Sequence, residues 1–141
     1  MIQLEMLEEV DRICKKCNIH YNIIAGTSTW FDGELPTYWD EFMPEIESID
    51  MTGKKVALFG LGDQERYPDN FVDGIGILAE AFTQSNAELV GFMPVNDYHF
   101  TQSRAVKEGH FLGLPLDIEN QSEQTEERIL KWVEKLKKEF Q

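Results

Sequence analysis

The sequence predicts an α/β fold built on a parallel sheet, and three observations carry that prediction. Short apolar runs at residues 21–26, 55–60 and 87–93 read as buried strands. Stretches with helical spacing of apolar residues lie at 37–47, 70–84 and 125–140. Strands that alternate with helices form βαβ units, in which neighbouring strands run parallel. With 141 residues, no internal repeat and no linker, the chain reads as a single domain, residues 1–141.

Residues 1–17 carry two patterns. Ile2, Met6, Val10, Ile13, Cys14 and Cys17 recur at helical spacing, whereas Ile2, Leu4 and Met6 alternate with Gln3 and Glu5 as in a strand. Tyr21 to Gly26 is a short buried strand, and Thr27 to Pro36 is a loop marked by Ser28, Thr29, Asp32, Gly33 and Pro36. Residues 37–47 form a short helix with Tyr38, Phe42 and Ile46 on one face. Lys55 to Gly60 is the second strand, followed by a Gly-rich loop to Asp69. Asp69 or Asn70 caps the next helix, which turns Phe71, Ile75, Leu78, Ala79 and Phe82 inward. Residues 87–93 are the third strand, and 95–121 are irregular apart from a β-run at Phe111 to Leu114. Thr125 caps the last helix, whose stripe is Ile129, Trp132, Val133, Leu136 and Phe140. Glu126 and Glu127 in its first turn, and Lys131, Lys135, Lys137 and Lys138 further on, complement the helix dipole.

Charge and cysteine content narrow the function. Twenty-six acids against thirteen bases give a net charge of −13, which argues against nucleic acid as a partner. Seven of the acids fall between Asp32 and Asp50 with no base among them. They are either a solvated face or a docking face for a basic partner, and composition does not separate the two. No apolar run reaches the ~18 residues of a membrane span, and no leader pattern opens the chain. Two cysteines make no disulfide framework, so a reducing, cytoplasmic location is the default. Cys14-Lys-Lys-Cys17 falls late in a possible helix instead of at a helix start, so it reads as two reduced thiols. Zinc would need two further ligands, with only His20 nearby. His99 and His110 have no Ser or Cys at informative spacing and read as surface residues. Gly60-Leu-Gly62 lacks the third glycine of a dinucleotide fingerprint.

Ligands of parallel sheets sit outside the carboxyl ends of the strands, and the first two such loops carry Trp30 and Tyr67. Either ring alone fits a core anchor or a surface residue. Their surroundings are more specific. Thr29-Trp-Phe-Asp-Gly-Glu-Leu-Pro36 and Gly62-Asp-Gln-Glu-Arg-Tyr-Pro-Asp-Asn70 resemble the two ring-binding loops of flavodoxins. Tyr98 to Val106, Phe111 to Gln121 and Arg128 to Leu136 are similar to the insertion and last helix of the long-chain type. The resemblance covers about residues 20–141, with the motifs in family order.

This resemblance implies a flavodoxin-like three-layer α/β/α sandwich with a parallel sheet. It also implies a low-potential FMN electron carrier and not an enzyme, shuttling between redox partners such as a basic flavodoxin/ferredoxin NADP reductase. Trp30 and Tyr67 would stack on the two faces of the flavin. The backbone of Phe31, Asp32 and Gly33 would meet the ring nitrogen that gains a proton on reduction. Asp63, Asn70 and the backbone near Gly62 would line the pyrimidine end, and Ser28 and Thr29 would approach the ribityl chain and phosphate. Offset stacking adds ~0.5–1.5 kcal/mol per aromatic pair beyond area burial. Negative charge near the ring lowers its last reduction potential, and Gly33 leaves the turn free to re-aim a backbone group.

One part of the family pattern is missing. Flavodoxins open with a strand, a Ser/Thr-rich loop and a helix N-terminus that hold the phosphate through N–H groups and the dipole. Residues 1–20 contain no such loop, so the domain reads as N-terminally truncated. The family sheet order is 2-1-3-4-5, so the absent strand is the central one, leaving 21–26 with an unpaired apolar edge. Residues 2–7 are then what remains of the second strand, and three explanations compete: the sequence is a fragment or a mis-started gene model, residues 1–7 slip into the vacant strand position, or the missing part comes from another chain. The alternative function is a truncated relative with weak or no FMN binding, acting as a binding module or a non-functional fragment.

Overall fold

The computed structural model describes residues 4–18 and 20–141, with side chains from residue 9 onward apart from residue 19. Helix α1, Leu4–Cys17, resolves the ambiguous start. Residues 4–7 are helical, so they neither remain a strand nor fill a strand position; residues 1–3 lie outside the described residues. Pairs three and four apart, Glu9 with Arg12 and Asp11 with Lys15, support the helix. Asp11 is buried, and Tyr21 Oη donates to it at 2.8 Å, tying α1 to the strand that follows.

Strand β1, Asn22–Ser28, runs two residues further than expected and takes Thr27 and Ser28 out of the loop. It pairs in parallel with β2, Lys55–Leu61, over its full length. On its other side β2 is parallel to β3, Glu88–Val90, along residues 55–57 and to β7, Leu114–Leu116, along 59–61. β3 and β7 thus act as one strand interrupted by a detour. The predicted strand 87–93 breaks at Gly91, where φ is +79° and Trp132 Nε1 would lie 2.7 Å from any Cβ. Within the detour, β4 (Met93–Pro94), β5 (Val106–Lys107) and β6 (His110–Phe111) form a small antiparallel sheet in the order β4-β6-β5. The predicted run 111–114 is therefore divided between two sheets.

Helices cover both faces. α2 (Trp39–Ser48) and α3 (Asp73–Gln84) pack with Val56, Leu58, Ile75, Leu78 and Phe82 on one side. α4 (Ile118–Gln121) leads through a 3₁₀ turn into α5 (Thr125–Glu139), which packs Trp132 and Leu136 on Ala57, Val90, Leu114 and Leu116 on the other. Several sequence expectations shift. Trp39 joins the core while Tyr38 is exposed. Asp69 and Asn70 do not cap α3, because backbone bonds from Tyr67 N–H to Asp63 and Asn70 N–H to Tyr67 hold 67–72 as a turn. Val72 takes the capping place with a left-handed φ of +49°. Thr125 is the first helical residue and not a cap, since the 3₁₀ turn runs straight into α5. Ile129 and Val133 stay more than one-third exposed. His99 and His110 are exposed, as expected, and so is His20.

Parallel sheets are normally covered on both faces. α5 meets β2 through Trp132 and Phe59 and touches β1 at its end, where Asn22 Nδ2 donates to Phe140 O at 3.3 Å. Among the described residues no strand pairs with the far edge of β1, and Ile24 is 55% exposed. The sequence Asn22-Ile-Ile-Ala-Gly-Thr-Ser28 has none of the charges or prolines that blunt an edge. Ile24→Lys should suppress concentration-dependent association in static light scattering while changing stability by less than ~0.5 kcal/mol, as for an exposed position. Undiminished association would show that the sticky surface lies elsewhere.

Candidate functional site

The pairing of Ser28 with Leu61 brings the ends of β1 and β2 level, so the loops after them leave the sheet side by side. The first loop folds back through Trp30 and Glu34, whose N–H and C=O groups exchange two bonds of 2.8 Å. Between them Phe31 (φ +46°) and Gly33 (φ +93°) make a tight turn. Trp30 is 41% and Phe31 75% exposed, with their rings edge-on at 6.4 Å. Thr29 Oγ1 points away from solvent and accepts the Gly74 N–H at 3.0 Å, fastening the loop to α3.

The second loop is shaped by Asp63. Its Oδ1 accepts the N–H groups of Glu65 at 3.1 Å and Arg66 at 2.9 Å, and the Asn120 amide at 2.9 Å. Gly62 N–H is bound to Leu116 O at 3.0 Å. Tyr67 stands 50% exposed at the outer end. Thr29, Phe31, Gly62, Asp63, Tyr67 and Asn70 line a narrow cleft between the loops. Asp32, Gly33 and Asn70 belong to a second, wider cleft with Asp69 and Asp73. Ser28 ends β1, and Trp30 lies at the base of the exposed turn.

The sequence reading missed the residue that holds this end of the sheet together. Asp117, fully buried just after β7, accepts Gln64 N–H at 3.1 Å and Gln64 Nε2 at 2.8 Å through Oδ2, and Asn120 N–H at 3.0 Å through Oδ1. Asn120 in turn binds Asp63, so one chain of bonds runs from the split strand to the Tyr67 loop. An aspartate closing the apolar run Leu114-Pro-Leu-Asp117, three residues before Asn120, is the capping signal that marks it.

Burial pushes the Asp63 carboxyl up, but the N–H groups of Arg66 and Glu65 and the Asn120 amide outweigh it and hold the group below its usual 3.8. Burial pushes Tyr98 up to about 12; its hydroxyl donates to Pro115 O at 2.6 Å, and Arg128 stacks on its ring at 4.1 Å. Among the described residues no group of three His, Cys, Asp or Glu could hold a metal ion. No helix among them is long and apolar enough to cross a membrane. Cys14 and Cys17 are free thiols in α1.

Comparison with known proteins gives the family. The flavodoxin family matches residues 3–132. A flavodoxin from a Nostoc species is 45% identical over 123 residues, 87% of this chain and 72% of that protein. One from a Synechocystis species is 48% identical over 115 residues, 82% of this chain and 68% of that protein. The structure of Fusobacterium nucleatum flavodoxin bound to flavin mononucleotide superimposes with a TM-score of 0.82 at 31% identity, covering 100% of this chain and 95% of that one. A point mutant of the Fusobacterium protein, also bound to flavin mononucleotide, gives 0.83 at 33% identity, with 96% and 88% coverage. The chain belongs to the flavodoxin family and has its α/β fold. Flavodoxins are electron carriers and not enzymes.

Asp63→Ala should lower stability by about 2 kcal/mol at neutral pH, since bonds to a charged acceptor contribute ~1.5–3 kcal/mol each. Because the folded carboxyl lies below 3.8, its stabilisation is complete above that value and is lost as pH falls through the folded one. Urea unfolding of both proteins across this range checks it: the difference should shrink in acid, and a pH-independent gap would contradict the assignment.

Proposed function

We propose that the chain is an FMN-binding, low-potential electron carrier, a single domain that shuttles electrons between redox partners in the cytoplasm. The carrying observation is the pair of half-exposed rings, Trp30 and Tyr67, on adjacent loops at the carboxyl ends of parallel strands. Two aromatic faces beside a cleft with polar walls suit a planar, partly polar ring. The structural relatives from Fusobacterium carry FMN. FMN, when bound, supplies the one-electron chemistry, and the protein contributes binding and electrostatics.

In this reading Trp30 and Tyr67 stack on the two ring faces. The turn Phe31-Asp32-Gly33 offers its backbone to the ring edge, and Gly62, Asp63 and Asn70 bound the pyrimidine end. Asp63 acts mainly by fixing its own loop, since Oδ1 is already engaged three times. Ser28 and Thr29 face the ribityl and phosphate end, where the fit is poor among the described residues. The N-terminus of α3 is the nearest helix start, yet its Gly74 N–H is taken by Thr29 and Asp73 places a carboxylate there. That helix end is no anion cradle.

The acids of α2, with Asp40, Glu41 and Glu47 exposed, form the docking face for a basic partner such as a flavodoxin/ferredoxin NADP reductase. Such charge governs encounter rate more than bound affinity. The second reading, a binding module with weak or no FMN, draws on the bare edge of β1.

Trp30→Ala and Tyr67→Ala should each weaken FMN binding by roughly 1–3 kcal/mol through lost aromatic burial and stacking, measured by flavin fluorescence quenching. Unchanged affinity in both variants would refute the stacking roles. In calorimetry the chain should hold riboflavin about as tightly as FMN, because no phosphate cradle among the described residues adds charge-assisted bonds. A strong preference for FMN would show that another segment rebuilds the anion site.

A further inference from the structure

A polar cluster at the start of α5 has no part in the roles above. Arg128 lies one helical turn before the buried Trp132 and so falls on the inward stripe of α5. Its guanidinium stacks on Tyr98, 4.1 Å from the ring centroid. Both Nη1 and Nη2 are buried, and among the described residues no acceptor bonds to either. Thr125 Oγ1, three residues earlier on the same side of the helix, is likewise buried without a partner. So is Gln121 Oε1, while its Nε2 donates to Asp97 O at 2.7 Å. Arg128 also lines a cavity of about 190 Å³ between α5 and the start of the detour. No residue around that cavity belongs to the two clefts beside the ring loops.

A positive charge on this stripe is costly. Burying a charge without a partner carries a large desolvation cost. Replacing a buried ion by an apolar side chain of similar volume is often neutral or stabilising, so the charge calls for a use. The Tyr98 face returns part of the cost but leaves the Nη donors without acceptors. Nor do the neighbouring acids neutralise it. Glu127 is paired with Lys131 at 2.7 Å, and the exposed Asp97 makes no bond to Nη1 or Nη2. A guanidinium offers donors only, and a threonine hydroxyl adds one more. Against them stands a single unpartnered acceptor, Gln121 Oε1. What the cluster lacks is acceptors. The planar fork of Arg matches a carboxylate. The small cavity and the acids at its rim, Asp97 and Glu127, restrict the ligand to a small one with a single negative charge.

We propose that Arg128, with Thr125 beside it, binds a small monocarboxylate in the cavity between α5 and the detour. The guanidinium, held against Tyr98, supplies the charge and the fork, and the Thr125 hydroxyl supplies a further donor. Met93 and Pro94 in the wall face the apolar part of the ligand. Gln121 and Tyr98 already fasten this corner to Asp97 O and Pro115 O, and an occupied site ties the detour to α5 more firmly.

The probe is acetate, exchanged for chloride at constant ionic strength and neutral pH and followed by NMR on the purified chain. Saturable shifts should appear at the Arg128 Nε–H and at the amides of Asp97, Tyr98 and Thr125, and none at residues 29–33 or 62–70. Arg128→Met, which fills the stripe without charge, should weaken acetate binding at least about tenfold, through loss of charge-assisted bonds. Arg128→Lys, which keeps the charge without the fork, should restore it only in part. Lys131→Met should change affinity less than about twofold, because that ammonium is already paired with Glu127. Shifts that grow without saturation, or that persist in Arg128→Met, would overturn the proposal, and so would an equal loss in Lys131→Met. If Arg128→Met does not fold, the map on the unaltered chain decides: saturable shifts centred on Arg128 support the site, and their absence overturns it. FMN takes no part in the measurement, so the result stands apart from the function proposed above.

Discussion

The parallel register of β1 with β2 is the constraint on which the rest of the molecule depends. It sets Asn22 opposite Lys55 and Ser28 opposite Leu61, so the strands end together and the Trp30 and Tyr67 loops start at one level. A slip of one residue would move every side chain of β1 to the other face. Val56 and Leu58 face α2 and α3 while Ala57 and Phe59 face α5, and that alternation fixes the register of the central strand from both sides. The site is a consequence of where the pairing stops.

A second layer of order is polar. Asp117, Asn120, Gln64 and Asp63 form a bonded chain between the second half of the interrupted strand and the Tyr67 loop. At the start of α3, Asp73 accepts the Arg104 N–H of the detour and the Gly74 N–H donates to Thr29 of the Trp30 loop. Buried carboxylates are expensive unless fully bonded, so each one pins the loop N–H groups around it. In a chain of net charge −13, placing carboxylates inward against backbone donors also relieves repulsion among the surface acids.

The bare side of β1 is the counterpoint to this order. One face of the strand packs Ile23 and Ala25 into the core with α2 and α3. The opposite face leaves Ile24 open, with Phe59 folded over Gly26. Among the described residues, then, the molecule combines a built site with an uncovered strand edge of the kind that invites association.

Much of the fold and the candidate site was legible because it rests on local pattern. Alternating strands and helices gave the α/β class, and the runs at 55–60 and 21–26 gave the two strands that matter most. Exposed aromatics in glycine-marked loops gave Trp30 and Tyr67, and the flavodoxin resemblance rested on loop sequence alone. The errors came where local preference met a competing contact. Asp69, Asn70 and Thr125 have capping chemistry, but turn bonds at 67–72 and the 3₁₀ turn at 122–124 placed the helix starts elsewhere. Residues 87–93 read as one strand, but Gly91 turns away beneath Trp132, 41 positions later in the chain. What the sequence determined by itself, then, was the class of fold, the loops that carry the rings and the acidity of the surface, because each depends on neighbours close in the chain. Tertiary structure alone decided that β3 and β7 share one place beside β2, that Asp117 and Asp73 are buried anchors and that Ile24 faces outward, because each depends on groups far apart in sequence meeting across the sheet.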